Sequence, residues 1–596
     1  MKQKLLLTLF TPRQAQCKLL LLYFILSTCA AAATTRYVST TGSSVPPYTT
    51  WATASDSIQK CINICNDGDT VIVANGIYKE SLIINSAITL MGSGMDSCVI
   101  DGRGLSANTI DCRNKINIIG FNIIGRGVSS VDEEGIVTHN YSINIKSCFI
   151  SKCADGIYFG KSSGTIDGVI MRDINTGVFT FCGSDTCKPV IKNSIIVLRN
   201  VFAADDGIIN FYDGQPTILN NIIIGPRQNT PQGIDNWYVK RLVAKNNLIA
   251  GFQENINAGG IYDSSFIINN VLRDQFSEEN SYASISNPNS RSYIRNNIIT
   301  NNVKGIYVGS YTPNSDYNIF WNNEVHVNNG SVFGANDIFA DPMFVKDTVA
   351  KSLSYDYHLQ KYSPGIDAGD KLIQDVDGSR SDIGMYGGPG GTSYIYLNLP
   401  PKPPVNFHSS YDSSKIIISW NKYSEADFSH YNIYRSSVNN FMPDSINLYC
   451  QTDTSYFIDE LPPIKEKLYY RVTAVDSAGN ESISGEQIVI TITNTGETLI
   501  EIVGEYNLYQ NYPNPFNPAT TIPFRIKERS YVKVMAYDIK GELITTLVNE
   551  TKESGYYEVE FNAGGLASGI YLYRIEVIGK GSIPVYMDMK KMIYLK

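Results

Sequence analysis

From about Asn122 to Asn318 the chain repeats one arrangement, a polar pair followed by aliphatic residues. It reads Phe121-Asn122-Ile123-Ile124, Ser147-Cys148-Phe149-Ile150, Arg172-Asp173-Ile174, Asn193-Ser194-Ile195-Ile196 and Asn220-Asn221-Ile222-Ile223. It goes on as Asn246-Asn247-Leu248-Ile249, Asn269-Asn270-Val271-Leu272, Asn296-Asn297-Ile298-Ile299 and Tyr317-Asn318-Ile319-Phe320, in steps of 21 to 27 residues. Between these phrases a Gly-Ile or Gly-Val pair recurs, as at Gly135, Gly156, Gly177, Gly207, Gly233, Gly260 and Gly305. A period of this length means stacked units. The apolar runs are short, β-branched, broken by Gly, Asn and Asp, and free of helical spacing. Such strands bury no face alone, but coils stacked about 4.8 Å apart share one interior. The pattern predicts an all-β parallel β-helix with one coil per repeat. Its Asn column is expected to be structural: Asn tolerates left-handed backbone and bonds to its neighbours above and below.

Outside the repeat the pattern changes. Thr53 to Asn66 has helical spacing (Ile58, Cys61, Ile62, Cys65), is stopped by Asp67-Gly68-Asp69, and is expected to cap the stack. Pro400-Pro401-Lys402-Pro403-Pro404 reads as a stiff linker. Beyond it, alternating strands such as Ile416-Ile417-Ile418-Ser419-Trp420 and Tyr469-Tyr470-Arg471-Val472 predict two small β-sandwich domains. The expected boundaries are 1–33 for a leader, 34–399 for the β-helix, 400–495 for the first sandwich and 496–596 for the second.

Three stretches carry family resemblances. Asp67 to Gly94, with the closing segment Ser363-Pro364-Gly365-Ile366-Asp367-Ala368-Gly369 and Asp382-Ile383-Gly384-Met385-Tyr386-Gly387, resembles exported bacterial proteins of the pectin-lyase-like, right-handed β-helix type. Residues 400–495 resemble a fibronectin type III domain, with Trp420 and Tyr469 at its core positions. Leu508-Tyr509-Gln510-Asn511-Tyr512-Pro513-Asn514-Pro515-Phe516-Asn517-Pro518, Gly565-Leu566-Ala567-Ser568-Gly569-Ile570-Tyr571 and the closing Lys590 to Lys596 resemble the C-terminal sorting domain of type IX secretion. That resemblance implies an outer-membrane translocon and its sorting machinery as partners.

The net charge of −8, with 18% charged residues and no basic stripe, argues against nucleic acid as a partner. Lys2, Lys4, Arg13 and Lys18 precede the apolar stretch Leu19 to Leu26 and then Ala30 to Ala33, which reads as a secretory signal peptide. That stretch is too short to span a bilayer, and no later stretch approaches 18 apolar residues, so no transmembrane segment is expected in the mature chain. Among the cysteines, Cys182 with Cys187 and Cys148 with Cys153 are spaced to pair, whereas Cys61 and Cys65 fall on one helical face and suit packing.

Candidate chemistry follows from strand alternation. If the residue after each repeat Gly points inward, one outward column reads Val137, Tyr158, Phe179, Ile209, Asp235, Tyr262. The next reads His139, Gly160, Phe181, Phe211, Trp237, Ser264. Tyr158, Phe179, Phe181, Phe211, Trp237 and Tyr262 then form an aromatic ribbon suited to the apolar faces of sugar units, with Asp205, Asp206, Asp213, Asp235 and Asp263 beside it. The alternative is that lateral loops cover the ribbon and make it secondary core. Asp206 and Asp235 suit the paired carboxyls of an inverting hydrolase. Lys240 or Arg241 beside Asp235 suits the base of a lyase. No His-Gly pair of the polygalacturonase kind and no Arg-x-Pro-x-x-Arg of the pectate-lyase kind occurs, so no catalytic residue is carried over from either family. Asp375, Asp377 and Asp382 offer oxygens to a calcium ion, the alternative being a metal-free capping turn. The expected function is a secreted or cell-surface protein engaging extracellular polysaccharide, as a polysaccharide lyase or glycoside hydrolase. The rival expectation is a non-enzymatic adhesin or structural protein.

Overall fold

The structure is a computed structural model describing residues 33–595, except 106–107, 128–133, 183–186, 199–208, 213, 227–231, 238–239, 259–263, 280, 287, 289–290, 309–311, 329–332, 348–354, 413–414, 461, 463–466, 493–497, 504–505, 528, 553–554 and 579–583. The leader expected at 1–33 therefore lies almost wholly outside the described residues. The fold is all-β: three parallel sheets of 12, 11 and 11 strands form a parallel β-helix, followed by antiparallel sheets. Contact density divides the chain into one unit of residues 1–243 and 256–264 and another of 244–255 and 265–596.

Alternation builds the coils. In Ile143–Lys146 the isoleucines are buried while Asn144 and Lys146 face out. The same phase holds in the paired strands Ile116–Ile119 and Gly164–Asp167. The expected helix is cut to Ile58–Ile62, N-capped by the Ser57 side chain. It begins late because Ser55 exchanges backbone hydrogen bonds with Tyr37 and Ser39 of the first strand. Glu80 accepts the free N–H groups of Ile58 and Gln59 at its start.

The Asn column resolves into two roles. The first residue of each pair takes the left-handed corner: Ser147, Asn193, Asn220, Asn246, Asn269, Asn296 and Tyr317 have φ between 51 and 59°. The second is buried and forms a ladder. The Asn247, Asn270 and Asn297 N–H groups donate to the Oδ1 of Asn270, Asn297 and Asn318 at 2.9, 3.0 and 3.0 Å. The structural reading of this column holds. Two phrases were misaligned, because at those rungs the corner is Gly120-Phe121 and Gly168-Val169, without a polar pair. Asp173 does take left-handed backbone, but at another corner, where its carbonyl accepts from Lys152 N–H. That corner has a ladder of its own, with Gln275 and Asn302 N–H groups donating to Asn302 and Asn323 Oδ1.

The first sandwich packs His408–Asp412, Lys415–Ser419 and Tyr456–Asp459 against a five-stranded sheet. That sheet includes Thr498–Val503, so it runs past the boundary expected at 495/496. Its core holds Trp420 and Tyr470. Tyr469, expected there, points to the opposite face and packs with Tyr434, Phe441 and Val489. Neighbours in a strand face opposite ways, so only one of the two tyrosines can join Trp420. In the second sandwich the Asn511-to-Pro518 stretch anchors the last strand, Pro584–Tyr594. Phe516 N–H donates to Ile593 O, Leu595 N–H to Phe516 O, and Asn511 N–H to the Tyr573 hydroxyl.

Candidate functional site

One face of the second β-helix sheet carries the aromatic residues. Strands Glu134–His139, Asp155–Gly160, Thr176–Phe181, Ile209–Tyr212 and Gln232–Trp237 stack in parallel. One column runs Val137, Tyr158, Phe179, Asn210, Asp235, and another runs His139, Gly160, Phe181, Tyr212, Trp237. Between them lie Thr138, Phe159, Thr180, Phe211 and Asn236. Thr138, Phe159, Thr180 and Asn236 are buried, so this middle column is the interior one.

Two placements are thereby corrected. Ile209 pairs with Val178 and Ile234, and Phe211 with Thr180 and Asn236, so Phe211 stands in the inward column. The repeat Gly207 had been equated with Gly177, but it is the residue two after it, Ile209, that aligns with Val178. A slip of one residue exchanges the faces of a strand. Asn210 and Tyr212 hold the outward positions instead, and Tyr212 is the aromatic that sequence spacing missed. The side chains of Phe211, Tyr212 and Trp237 are not among those described, and Asp205, Asp206, Asp213, Tyr262 and Asp263 lie wholly outside the described residues.

The described part of the ribbon is a ladder. The His139 and Tyr158 rings lie 5.4 Å apart and tilted, while Tyr158 and Phe179 lie 5.4 Å apart with 16° between their planes. These two rings stack on one another, so they turn edges and the Tyr158 hydroxyl outward rather than flat faces. Phe181 is 44% exposed. Gly160 makes room for the ladder: a Cβ there would lie 2.5 Å from His139 Nδ1 and 3.0 Å from Tyr158 Cε1. Burial, with the nearby Glu134 and Asp155 charges, raises the Tyr158 hydroxyl above its ordinary pKa.

Asp235 shares the Tyr158–Phe179 column yet is only 6% exposed, and its Oδ1 accepts from Asn257 Nδ2 at 3.2 Å. Lys240 and Arg241 are exposed where the strand Arg241–Lys245 begins, and Lys240 N–H donates to Gly214 O at 3.1 Å.

All three cap aspartates line one pocket. Asp377 sits on an exposed turn and accepts from Ser379 N–H and Oγ. Asp375 accepts Asp382 N–H at 3.0 Å and also Gly388 N–H, while Asp382 accepts Asp367 N–H and the Tyr396 hydroxyl, each at 2.9 Å. Burial pushes Asp382 up to about 6, with the Asp375 and Asp367 charges adding to the rise. Among the described residues no group of three or more His, Cys, Asp or Glu is placed to hold a metal ion. These carboxylates serve as acceptors for the cap's own backbone N–H groups. Cys182 and Cys187 form a disulfide, whereas Cys148 and Cys153 are buried free thiols, as are Cys61 and Cys65.

Residues 510–583 match the family described as Secretion system C-terminal sorting domain. The chain therefore carries a sorting domain, which supports a secreted or cell-surface location. No helix among the described residues is long and apolar enough to cross a membrane. A search of curated proteins finds no match to the chain. Among solved structures it is similar to pectate lyase Pel9A (15% identity, TM-score 0.41), covering 61% of this chain and 96% of that one. It is also similar to pectin methylesterase from carrot (9% identity, TM-score 0.28; 48% and 85% covered). A third is the central fibronectin-III array of RIM-binding protein (13% identity, TM-score 0.20; 33% and 69% covered).

Proposed function

We propose that this protein, exported through an N-terminal leader and its C-terminal sorting domain, engages extracellular polysaccharide along the outward columns of the second β-helix sheet. The observation that supports this is one register column, in an exported chain, that carries Tyr158, Phe179 and Asp235, with His139, Phe181 and Trp237 in the column beside it. Ring edges, a phenol, an imidazole and a carboxylate at strand spacing suit the mixed apolar and hydroxyl surface of a sugar chain. The reading favours holding the polymer over cutting it, since ring edges contact sugar without activating water.

A catalytic reading draws on the burial of Asp235, which Asn257 orients, with Asp206 as second carboxyl for a hydrolase or Lys240 as base for a lyase. The intact mature chain is tested on a panel of plant and algal glycans for binding, reducing-end release and unsaturated uronate absorbance. Binding that survives Asp235→Ala but not Trp237→Ala, without product, supports holding. Product release abolished by Asp235→Ala supports catalysis. Absence of any bound glycan overturns both and leaves a structural role at the surface.

A further inference from the structure

The C-terminal cap forms a pocket around the aspartates that the sequence offers as calcium ligands. Its lining includes Asp375, Asp377, Asp382, Tyr386, Tyr394 and Tyr396. The three tyrosines stand at steep angles to one another. Tyr386 and Tyr394 lie 5.8 Å apart at 63°, and Tyr394 and Tyr396 lie 5.1 Å apart at 73°. Tyr386 is backed by His358, stacked on one face of its ring at 3.7 Å. The arrangement is a box of ring walls around two carboxyl groups.

The charge in that box has no counterpart. Asp382 is 2% exposed, yet its partners are Asp367 N–H and the Tyr394 and Tyr396 hydroxyls, none of them cationic. Asp375 likewise accepts the N–H groups of Asp382 and Gly388, with the Ser381 side chain beside it, and none of these is cationic. The nearby Arg380 is turned away, donating to Gly369 O and Ala368 O. His358 gives its Nδ1 to Asp356 instead. Buried carboxylates ordinarily have a cation beside them or a metal between them. A calcium ion wants six to eight converging oxygens. Here each oxygen of Asp375 and Asp382 already accepts a donor, and three tyrosines stand in the same wall. Ring faces around paired negative charge are instead the surroundings that attract a diffuse organic cation.

We propose that this cap pocket binds an organic ammonium group, the cation lying against Tyr386, Tyr394 and Tyr396 with Asp375 and Asp382 as counter-charges. An ammonium of this kind occurs on choline headgroups, amino sugars and lysine side chains, and the pocket reads the shared cation.

The test is calorimetric titration of the full mature chain with choline, glucosamine and Nα-acetyl-lysine amide, whose ε-ammonium is missing from its neutral partner Nα,Nε-diacetyl-lysine amide. The neutral tert-butyl isostere of choline and calcium chloride complete the set. Saturable binding of at least one ammonium is expected, with the matching neutral compound at least about tenfold weaker. Which ammonium binds best identifies the source. Tyr394→Leu and Asp382→Asn each weaken binding by roughly tenfold or more, while Asp453→Asn, exposed in the first sandwich, leaves it unchanged. Because Asp382→Asn alters the cap itself, the charged-against-neutral comparison on the unmutated chain decides independently. Calcium saturating the site while no ammonium does, equal binding of charged and neutral compounds, or no binding at all would each overturn the proposal.

Discussion

The same β-helix corner is built differently in the two compact units. In the first, the buried position reads Phe121, Cys148, Val169, Ser194, Asn221, so hydrocarbon or a thiol fills it in the earlier rungs. In the second it reads Asn247, Asn270, Asn297, Asn318, all fully buried. The left-handed residue beside it differs too. Asn193 and Asn220 are exposed, whereas Asn246, Asn269 and Asn296 are buried. The chain's own closing segment covers them: Asn246 Nδ2 donates to Gly387 O and Met385 O, Asn269 Nδ2 to Asp382 O, and Asp370 N–H to Asn296 Oδ1. A corner can therefore be stabilised by apolar packing or by a continuous amide ladder, and the second way leaves groups on which a cap can dock. The two solutions should fail differently.

The largest expected effect lies in the ladder. Replacing Asn297 with Ala removes the acceptor of both Asn270 N–H and Asn270 Nδ2, and the donor to Ile267 O at 2.8 Å. With several buried groups left unpaired, the second unit loses about 3–5 kcal/mol. Cys148→Ala, at the equivalent apolar rung, removes one small side chain and costs about 1 kcal/mol. Native-state hydrogen exchange read at Asn247, Asn270 and Asn297 checks this, and equal losses in both variants would dissolve the distinction.

Next comes the outer residue. Asn269 and Asn220 share φ 55°, which glycine adopts freely. Asn220→Gly loses no buried contact and stays within about 0.5 kcal/mol of the parent. Asn269→Gly keeps the corner but loses donation to Asp382 O at 2.9 Å and to Ser381 Oγ and Gly384 O at 3.2 Å, costing about 2 kcal/mol. Faster proteolysis within residues 381–391 of the Asn269 variant is the readout.

How much of this could be read beforehand depends on what the sequence encodes locally. The rungs were legible because each repeats a corner and a β-branched run, and the asparagines at 193–318 mark them directly. Gly168-Val169 was not, because an apolar pair does the same work there without a polar label, whereas Asp173, which carries one, belongs to the other corner. Phe211 falls inward because the Gly-Ile phrase at 207 arrives one residue ahead of the register that tertiary stacking enforces. The cap pocket was half legible. Asp375 and Asp382 are legible as acids, but Tyr394 and Tyr396 reach Asp382 only through the fold, on either side of the exposed Ile395.

Asp382 gives the cap a pH dependence that the open corners lack. Its carboxyl rises from 3.8 to about 6 on folding, chiefly through burial. The folded chain therefore holds this proton more tightly than the unfolded chain, and stability falls as pH rises between about 4 and about 6. The term amounts to at most ~3 kcal/mol. Asp382→Asn abolishes that slope and leaves the cap more stable than the parent above pH ~6, as thermal melts at about pH 4 and about pH 8 would show. A parent whose stability rises through this window, with the same slope in the variant, would show that Asp382 ionises freely.

The smallest effect belongs to the ring ladder. Gly160 lies opposite His139 and Phe181 in the parallel register. The methyl group of Gly160→Ala would meet the His139 ring at 2.5 Å, and that ring is exposed and free to swing outward. Strand propensity improves slightly as packing worsens, so net stability moves by less than about 1 kcal/mol. The ladder nevertheless loses its first ring. In nuclear magnetic resonance spectra the His139 ring protons shift away from the position imposed by Tyr158, whose ring centre is 5.4 Å distant, while the Tyr158–Phe179 pair keeps its own signals. If glycan binding also drops in this variant, contact extends to the His139 end of the ladder. If it does not, binding is confined to the rungs from Tyr158 onward, where the rings keep one another in place without it.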